Sequence, residues 1–277
     1  MTPFTGLVLA GSRGEGDPLA QAQNVRHRAL LEVVGVPMLL RVLRTLRASQ
    51  GVGRLVVSID DPSAIEDVPE IAALVRDGAL AVHRSLASPS RSVLDALERF
   101  GTGEPVLITT ADHALLRPEI VEHFLAAVDA SEADVLVGLV SRSVIQARFP
   151  ESTRTYLSFR DEHYSGANLF AFRTPAARKA AAFWVRAESY RKRPWRLVSV
   201  FGPVSLLLFL LRRLDLDAAL ARASRAIGAR VEAVRLPFAE AAVDVDKPSD
   251  LELVTKLLTE DQSTRSPSPE KQPPAGS

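Results

Sequence analysis

A glycine-rich stretch follows the first apolar run of the chain, and its residue types suit phosphate binding. Residues 7–10 are apolar, and the next four are Gly11, Ser12, Arg13 and Gly14. Glycine lets backbone N–H groups approach an anion closely, and arginine adds a fixed positive charge. The stretch matches neither the Gly-Lys-Ser/Thr phosphate loop nor the spaced glycines of dinucleotide folds. The stretch can therefore be interpreted either as a loop that binds nucleotide phosphates or as a plain glycine turn.

Asp112 stands directly behind another strongly apolar run, at residues 105–110. An aspartate at the carboxyl end of a parallel strand is well placed to hold Mg²⁺, which prefers carboxylate oxygens and bridges to nucleotide phosphates. We predict that Asp112 is a metal ligand, with capping of the following turn as the alternative.

Two further aspartates, Asp244 and Asp246, are separated by one residue near the end of the chain. On a predicted strand end, side chains two residues apart face the same side. One of them would be the second protein ligand of the metal. Capping of the helix that begins after Pro248 is another role for Asp246, and it does not exclude the first.

The composition limits the classes of function. A net charge of +1 provides no general argument for nucleic acid or a membrane surface as a partner. The absence of cysteine excludes disulfides, thiolate metal sites and catalytic thiols. The beginning of the chain lacks a basic start followed by a long apolar run, so we expect a cytoplasmic protein.

The elements that must position these residues alternate along the first half of the chain. Apolar runs predict strands over 6–10, 54–59, 79–83, 105–110 and 134–140, and helical spacing predicts helices over 38–46, 93–100 and 118–130. This order predicts an α/β fold with a doubly wound, parallel sheet whose ligands bind at the carboxyl ends of the strands.

The pattern changes after residue 140. Alternating residues over 155–160 and 168–172 predict antiparallel strands that form a wall on the substrate side. Helices over 175–191 and 216–227, a strand over 231–236 and a last helix ending near residue 258 follow. The polar remainder, 259–277, is predicted to be a disordered tail because it cannot bury enough apolar surface.

Two segments in this part of the chain can be interpreted in more than one way. The basic run 191–196 is a solvated face, or it contacts an anionic acceptor or a membrane surface. The apolar run 205–214 is too short to cross a bilayer. We expect it to form core or a contact between two copies of the chain, without stable insertion into a membrane.

Four motifs occur in order along the chain: Leu-Ala-Gly-x-Arg-Gly, a basic residue before Ala-Leu-Leu, Thr-Ala-Asp-His and Asp-Val-Asp-Lys-Pro-Ser-Asp-Leu. Together they resemble the MobA-like nucleotidyltransferase superfamily, which includes sugar-1-phosphate nucleotidylyltransferases, molybdenum-cofactor guanylyltransferases and small cytidylyltransferases. The resemblance implies a Rossmann-like three-layer sandwich with a mostly parallel central sheet and a small mixed acceptor subdomain. One domain would span 1–258, with a nucleotide-binding half (1–140), an acceptor-side insertion (141–230) and a closing strand and helix (231–258).

The resemblance also implies roles for individual residues. The triphosphate would be held by Leu9, Ala10, Gly11, Ser12 and Gly14, with Arg13 on its oxygens. Arg28 stands where the family usually has a lysine, and a guanidinium is not equivalent to the point charge of an ammonium group. Asp112 and Asp246 would be the metal-binding aspartates, with Asp244 as the fallback.

The base and the acceptor have less specific signals. Residues 88–93 are similar to a serine-bearing loop that reads cytosine, which makes Ser90 and Ser92 candidates and favours CTP, with guanine and uracil still open. A plain helix cap at Ser92 is the alternative. On the acceptor side, Ser165 and Asn168 would form hydrogen bonds with the acceptor and Arg154 would contact an acid or phosphate group on it. A plain turn residue is the alternative for Asn168.

These expectations combine into one function. We expect Mg²⁺-dependent transfer of a nucleotidyl group from CTP to a small phosphorylated acceptor, such as a phospho-acid like phosphoglycerate or an alditol or sugar phosphate. Pyrophosphate would be released, and the product would feed the synthesis of lipid headgroups or polysaccharide. The alternatives are a guanylyltransferase that acts on a cofactor precursor and a non-catalytic nucleotide-binding protein.

Overall fold

A central sheet of eight strands organises the computed structural model, which describes residues 2–12, 17–101, 103–151, 154–190, 207–208, 211 and 213–265. The strands are β1 Phe4–Leu9, β4 Val52–Ile59, β5 Leu80–Arg84, β6 Val106–Thr110, β7 Val135–Ser141, β8 Leu157–Ser158, β9 His163–Phe172 and β10 Val231–Arg235. Their order in the sheet is β10-β7-β9-β6-β1-β4-β5, and β8 pairs with β9. A separate hairpin pairs β2 Glu32–Val33 with β3 Val36–Pro37.

Helices cover both faces of the sheet. They are α1 Pro18–Ala22, α2 Met38–Ala48, α3 Pro69–Arg76, α4 Pro89–Phe100, α5 Pro118–Asp129, α6 Arg142–Arg148, α7 Ala177–Tyr190, α8 Leu216–Ile227 and α9 Pro248–Arg265. The apolar stripes of α2, α3 and α5 pack on one face. Those of α4 and α7 pack on the other face. The predicted three-layer α/β sandwich with a mostly parallel sheet is therefore confirmed.

The strand β9 is the exception to the parallel order. It lies between β6 and β7 and is antiparallel to both. The predicted antiparallel pairing is present, since β8 pairs with β9, but β9 belongs to the central sheet rather than to a separate wall. Its inner positions Leu169 and Ala171 are fully buried, which explains why a strand of this composition lies within the sheet.

Three local expectations were wrong. The helix α4 begins at Pro89, before the predicted start at Val93, because proline suits the first turn of a helix. The segment 243–246 is irregular rather than a strand end. The last helix continues to Arg265, past the predicted end near residue 258, so residues 259–265 are not part of a disordered tail. The side chains of Thr259 and Ser263 there hydrogen-bond to carbonyls one turn earlier.

Across the described ranges, no helix has both the length and the apolar character needed to cross a membrane.

Candidate active site

The carboxyl ends of β1 and β6 lie side by side and form the floor of the candidate site. Leu9 pairs with Thr110, and the N–H group of Ala111 donates to the carbonyl of Leu9 at 2.9 Å. A small cavity of about 30 Å³ opens at this edge and is lined by Leu9, Ala10, Gly11, Arg28, Ala29, Met38, Ala111 and Asp112. The fold thus brings together predicted residues from three separate stretches of the sequence. A larger cavity, of about 640 Å³, lies elsewhere and contains none of the predicted site residues.

Arg28 is the central cation of this site. It begins a short 3₁₀ turn, and its side chain is 8% exposed. One guanidinium nitrogen is 3.0 Å from Asp17 Oδ2, and the other is 2.7 Å from Asp246 Oδ1 and also donates to the carbonyl of Val245. Burial lowers the pKa of Arg28, but Asp17, together with Asp112 and Asp246, raises it above the ordinary value. A single arginine therefore connects the start of α1 to residues 245–246, near the other end of the chain.

Asp112 lies beside this ion pair with a carboxylate oxygen that has no partner. Its Oδ1 atom is buried and accepts no hydrogen bond among the described residues. Burial raises the pKa of Asp112, and the nearby charges of Asp244 and Asp246 act in the same direction, against Thr110 and Arg28. A carboxylate in this state is stabilised by any cation that reaches it.

Asp246 and Asp244 are each held by a different arginine. Asp246 contacts Arg28, as described, whereas Asp244 forms an ion pair with Arg154. Arg154 is also 3.6 Å from Asp250, whose other oxygen accepts the backbone N–H groups of Asp246 and Lys247. The two aspartates therefore have different arginine partners, and the charges of both act on Asp112.

The donor set around Asp112 fits a hard divalent cation. No group of three or more histidines, cysteines or acidic residues is arranged for a metal within the described ranges. Mg²⁺ does not require such a cage, because it is usually bound by one or two carboxylates together with substrate phosphates. The unpartnered Oδ1 atom of Asp112 meets this need, and Asp244 and Asp246 are the further carboxylates whose charges act on Asp112.

Ser90 and Ser92 lie in the first turn of α4 and use their hydroxyl groups internally. The Ser92 hydroxyl donates to the carbonyl of Ser88 at 3.0 Å and accepts the N–H group of Leu86 at 2.8 Å. Ser90 is fully buried and donates to Glu188 of α7. Because α4 begins at Pro89, the expected helix cap at Ser92 was wrong.

Ser165 and Asn168 lie within β9, which begins at His163 and is therefore longer than the predicted strand over 168–172. Ser165 is buried and faces Val140 of β7. The β7–β9 ladder shifts register around Asn168, which has a φ of 49°. Asparagine tolerates this left-handed conformation, and it occupies a β-bulge rather than a turn. Bulges often redirect side chains at the edges of functional sites.

Several predicted residues cannot be placed. The structure does not describe Arg13, Gly14, the basic run 191–196 or half of the apolar run 205–214. Of the glycine-rich loop, the part described ends at Ser12.

Sequence reasoning missed two acidic residues that organise the site. Asp17 caps α1 through the N–H groups of Leu19 and Ala20 and holds Arg28. Asp60 follows β4 and accepts hydrogen bonds from the backbone and hydroxyl of Ser12. Both had a signal in the sequence, since Asp17 precedes a proline at a helix start and Asp60 follows a buried strand as Asp112 does.

Several solved structures share the fold of this chain. A structure described as a hypothetical transferase from Thermus thermophilus is 32% identical, with a TM-score of 0.74, and the match covers 91% of this chain and all of that one. A CMP:2-keto-3-deoxy-manno-octonic acid synthetase in complex with CTP is 17% identical, with a TM-score of 0.58, over 94% of this chain and all of that one. A 4-diphosphocytidyl-2C-methyl-D-erythritol synthase from Anaerococcus prevotii is 12% identical, with a TM-score of 0.57, over 93% and 99% of the two chains. No curated protein matches the sequence.

Fold and site together define a nucleotidyltransferase. Residues 6–186 match the family model of the MobA-like NTP transferase domain. The chain belongs to this family, which confirms the resemblance inferred from its motifs.

Proposed function

We propose that this chain is a Mg²⁺-dependent cytidylyltransferase of the cytoplasm that couples CTP to a small phosphorylated acceptor. The observation that carries the proposal is the arrangement of Arg28 between Asp17 and Asp246, next to the unpartnered oxygen of Asp112. This combination of cation and free carboxylate at the end of two parallel strands suits a triphosphate and its metal ion.

The reaction would be a displacement at phosphorus. An oxygen of the acceptor's phosphate attacks the α-phosphorus of CTP, a new P–O bond forms, and the bond to the β-phosphate oxygen breaks with loss of pyrophosphate. No general base is needed because the acceptor phosphate is already ionised. The protein's contribution is positioning and charge neutralisation.

The residues of the chain have separate tasks in this proposal. The backbone of residues 9–12, with Gly14, would cradle the triphosphate, and Arg13 and Arg28 would neutralise its charge. Asp112 and Asp246 would hold Mg²⁺, with Asp244 as the fallback ligand, and the ion would supply further charge stabilisation on the phosphate oxygens.

The acceptor would bind on the side of β9. Arg154 is the candidate for its anionic group, because its buried Nη2 atom forms no hydrogen bond among the described residues and has only the Asp250 carboxylate near it, at 3.6 Å. Ser165 and the bulged Asn168 would complete this side. The choice of CTP is supported by fold likeness to two proteins whose names contain a cytidylyl product, and Ser90 and Ser92 would shape the loop that faces the base.

The test is an assay of pyrophosphate release. Each of the four nucleoside triphosphates is combined with a panel of phospho-acids, alditol phosphates and sugar phosphates, with and without Mg²⁺. We expect release only with CTP, only with Mg²⁺ and only with a subset of acceptors. Release with GTP alone would favour the guanylyltransferase alternative. Nucleotide binding without release from any pair would contradict the catalytic proposal.

A further inference from the structure

Asp60 joins two segments of the candidate site that are not neighbours in sequence. It is the first residue after β4. Its Oδ1 atom accepts the N–H group of Ser12 at 2.9 Å and lies 2.8 Å from Nε2 of His27. Its Oδ2 atom accepts the hydroxyl of Ser12. One carboxylate therefore connects the beginning of the glycine-rich loop to the residue that precedes Arg28.

The hydrogen bonds of His27 define its protonation pattern. The Nδ1 atom accepts the N–H group of Ala29 at 3.1 Å, so in this arrangement it carries no proton. The proton of the neutral ring is then on Nε2, which donates to Asp60. The His27 side chain is only 3% exposed, and the residue caps the 3₁₀ turn that carries Arg28. The ring is thus a rigid spacer between Asp60 and this turn.

The electrostatics of Asp60 suit such a connection. Burial raises the pKa of Asp60, but the hydrogen bonds from His27 and Ser12 outweigh it and lower the pKa to about 2. The carboxylate therefore stays ionised at neutral pH and keeps all of its acceptor positions. Hydrogen bonds to an ionised group are stronger than those between neutral groups.

We infer that Asp60 is a positioning residue that holds the start of the phosphate loop and the Arg28 turn in one fixed arrangement. This inference rests on the proposed function, in which both segments contact the triphosphate. A loop and a guanidinium that are already in place need no reordering when the nucleotide binds. Asp60 would act through Ser12 and His27, without touching the nucleotide.

The adjacent aspartate provides a matched control. Asp61 is on the surface, where it pairs with Arg26 at 2.8 Å and contacts Ser63. We expect Asp60→Ala to lower kcat/KM for the nucleotide by about 10- to 100-fold, the scale of a small misplacement of reacting groups. Asp61→Ala should stay within about twofold of the wild type, because it removes only surface contacts.

Two further variants separate positioning from direct contact with the nucleotide. Asp60→Asn keeps one acceptor for the Ser12 N–H group, so it should recover part of the loss. His27→Leu should reduce kcat/KM as Asp60→Ala does. The double variant should be no less active than the less active of the two single variants. The inference would be overturned if the losses of kcat/KM in the two single variants added fully in the double variant. It would also be overturned if His27→Leu had wild-type activity while Asp60→Ala was defective.

A structural measurement tests the connection independently of catalysis. In Asp60→Ala, hydrogen–deuterium exchange of the Ser12 amide should accelerate, while the thermal unfolding midpoint stays close to that of the wild type and of Asp61→Ala. Unchanged exchange at Ser12 in a folded Asp60→Ala protein would reject the positioning role. A wild-type protein that releases no pyrophosphate would reject the proposed function instead, and the exchange result would still decide whether Asp60 holds the loop.

Discussion

The phosphate side of the candidate site and the start of α4 were expected to bind the same nucleotide, but they differ in how far their polar groups are already hydrogen-bonded within the chain. On the phosphate side, Arg28 gathers two carboxylates and Asp112 retains an oxygen without a partner. At the start of α4, the hydroxyls of Ser90 and Ser92 are both committed to contacts within the chain. The first region has unmet binding capacity, and the second is complete without a ligand.

This difference has a physical origin. A serine hydroxyl near a helix start readily satisfies nearby backbone groups, so its presence in a motif says little about a ligand. Burial disfavours the charge of the Asp112 carboxylate, and the nearby carboxylates of Asp244 and Asp246 oppose it further, so a bound cation would stabilise the ionised form. Unmet charge is therefore a stronger indicator of ligand binding here than hydroxyl content.

Asp112 provides the largest expected effect. Replacement of Asp112 by asparagine should lower kcat/KM by about 10³-fold or more, since it removes the candidate metal ligand with the unpartnered oxygen. The exposed Asp77→Asn variant is the control. Activity within tenfold of the wild type would remove Asp112 from the metal site and weaken the contrast between the two regions.

The same variant makes a prediction about stability and pH. Because the folded state raises the pKa of Asp112, its ionised form opposes folding at neutral pH. Without nucleotide and metal, Asp112→Asn should melt higher than the wild type at pH 7, and the gap should close as the pH falls below the ordinary aspartate value of about 3.9. Addition of Mg²⁺ and CTP should raise the melting temperature of the wild type only.

Arg28 ranks next. Arg28→Ala should reduce kcat/KM by about 10²-fold and destabilise the fold by about 3 kcal/mol, because Asp17 is left buried without its partner. Arg28→Lys should recover much of the activity, since the family usually has lysine there. The exposed Arg26→Ala variant is the control, and urea unfolding measures the stability. Equal defects in the alanine and lysine variants would show that the guanidinium geometry, rather than its charge, matters.

Ser92 has the smallest expected effect. Ser92→Ala removes two buried hydrogen bonds, so unfolding should cost about 1 kcal/mol less. The ratio of kcat/KM for CTP to that for GTP should change by less than about fivefold, which corresponds to about 1 kcal/mol. A much larger decrease of this ratio in a folded variant would mean that the Ser92 hydroxyl contacts the base and contributes to the choice of CTP. The two regions would then be alike.

Particular residues show how far the site could be predicted. Asp112 and Arg28 were identified because each belongs to a local motif next to an apolar run, and the fold places them in the same cavity. Asp60 and Asp17 were not, although similar signals were present, because their importance comes from partners 48 and 11 residues away. Arg154 was expected to face the acceptor, and its pairing with Asp244 depends on a contact across 90 residues.

The sequence alone determined the α/β class, the order of the strands and helices in the first half of the chain, and the position of the glycine-rich segment that follows β1. Periodicity and turn residues act over a few neighbours, and they can be read without knowledge of the rest of the chain. Only the tertiary structure decided that β9 enters the central sheet and that α9 extends to Arg265. It also decided that the Arg28 side chain bridges Asp17 and Asp246. The ion pairs of Arg28 form between residues that come together only when the chain folds. No local sequence pattern predicts which residues will pair.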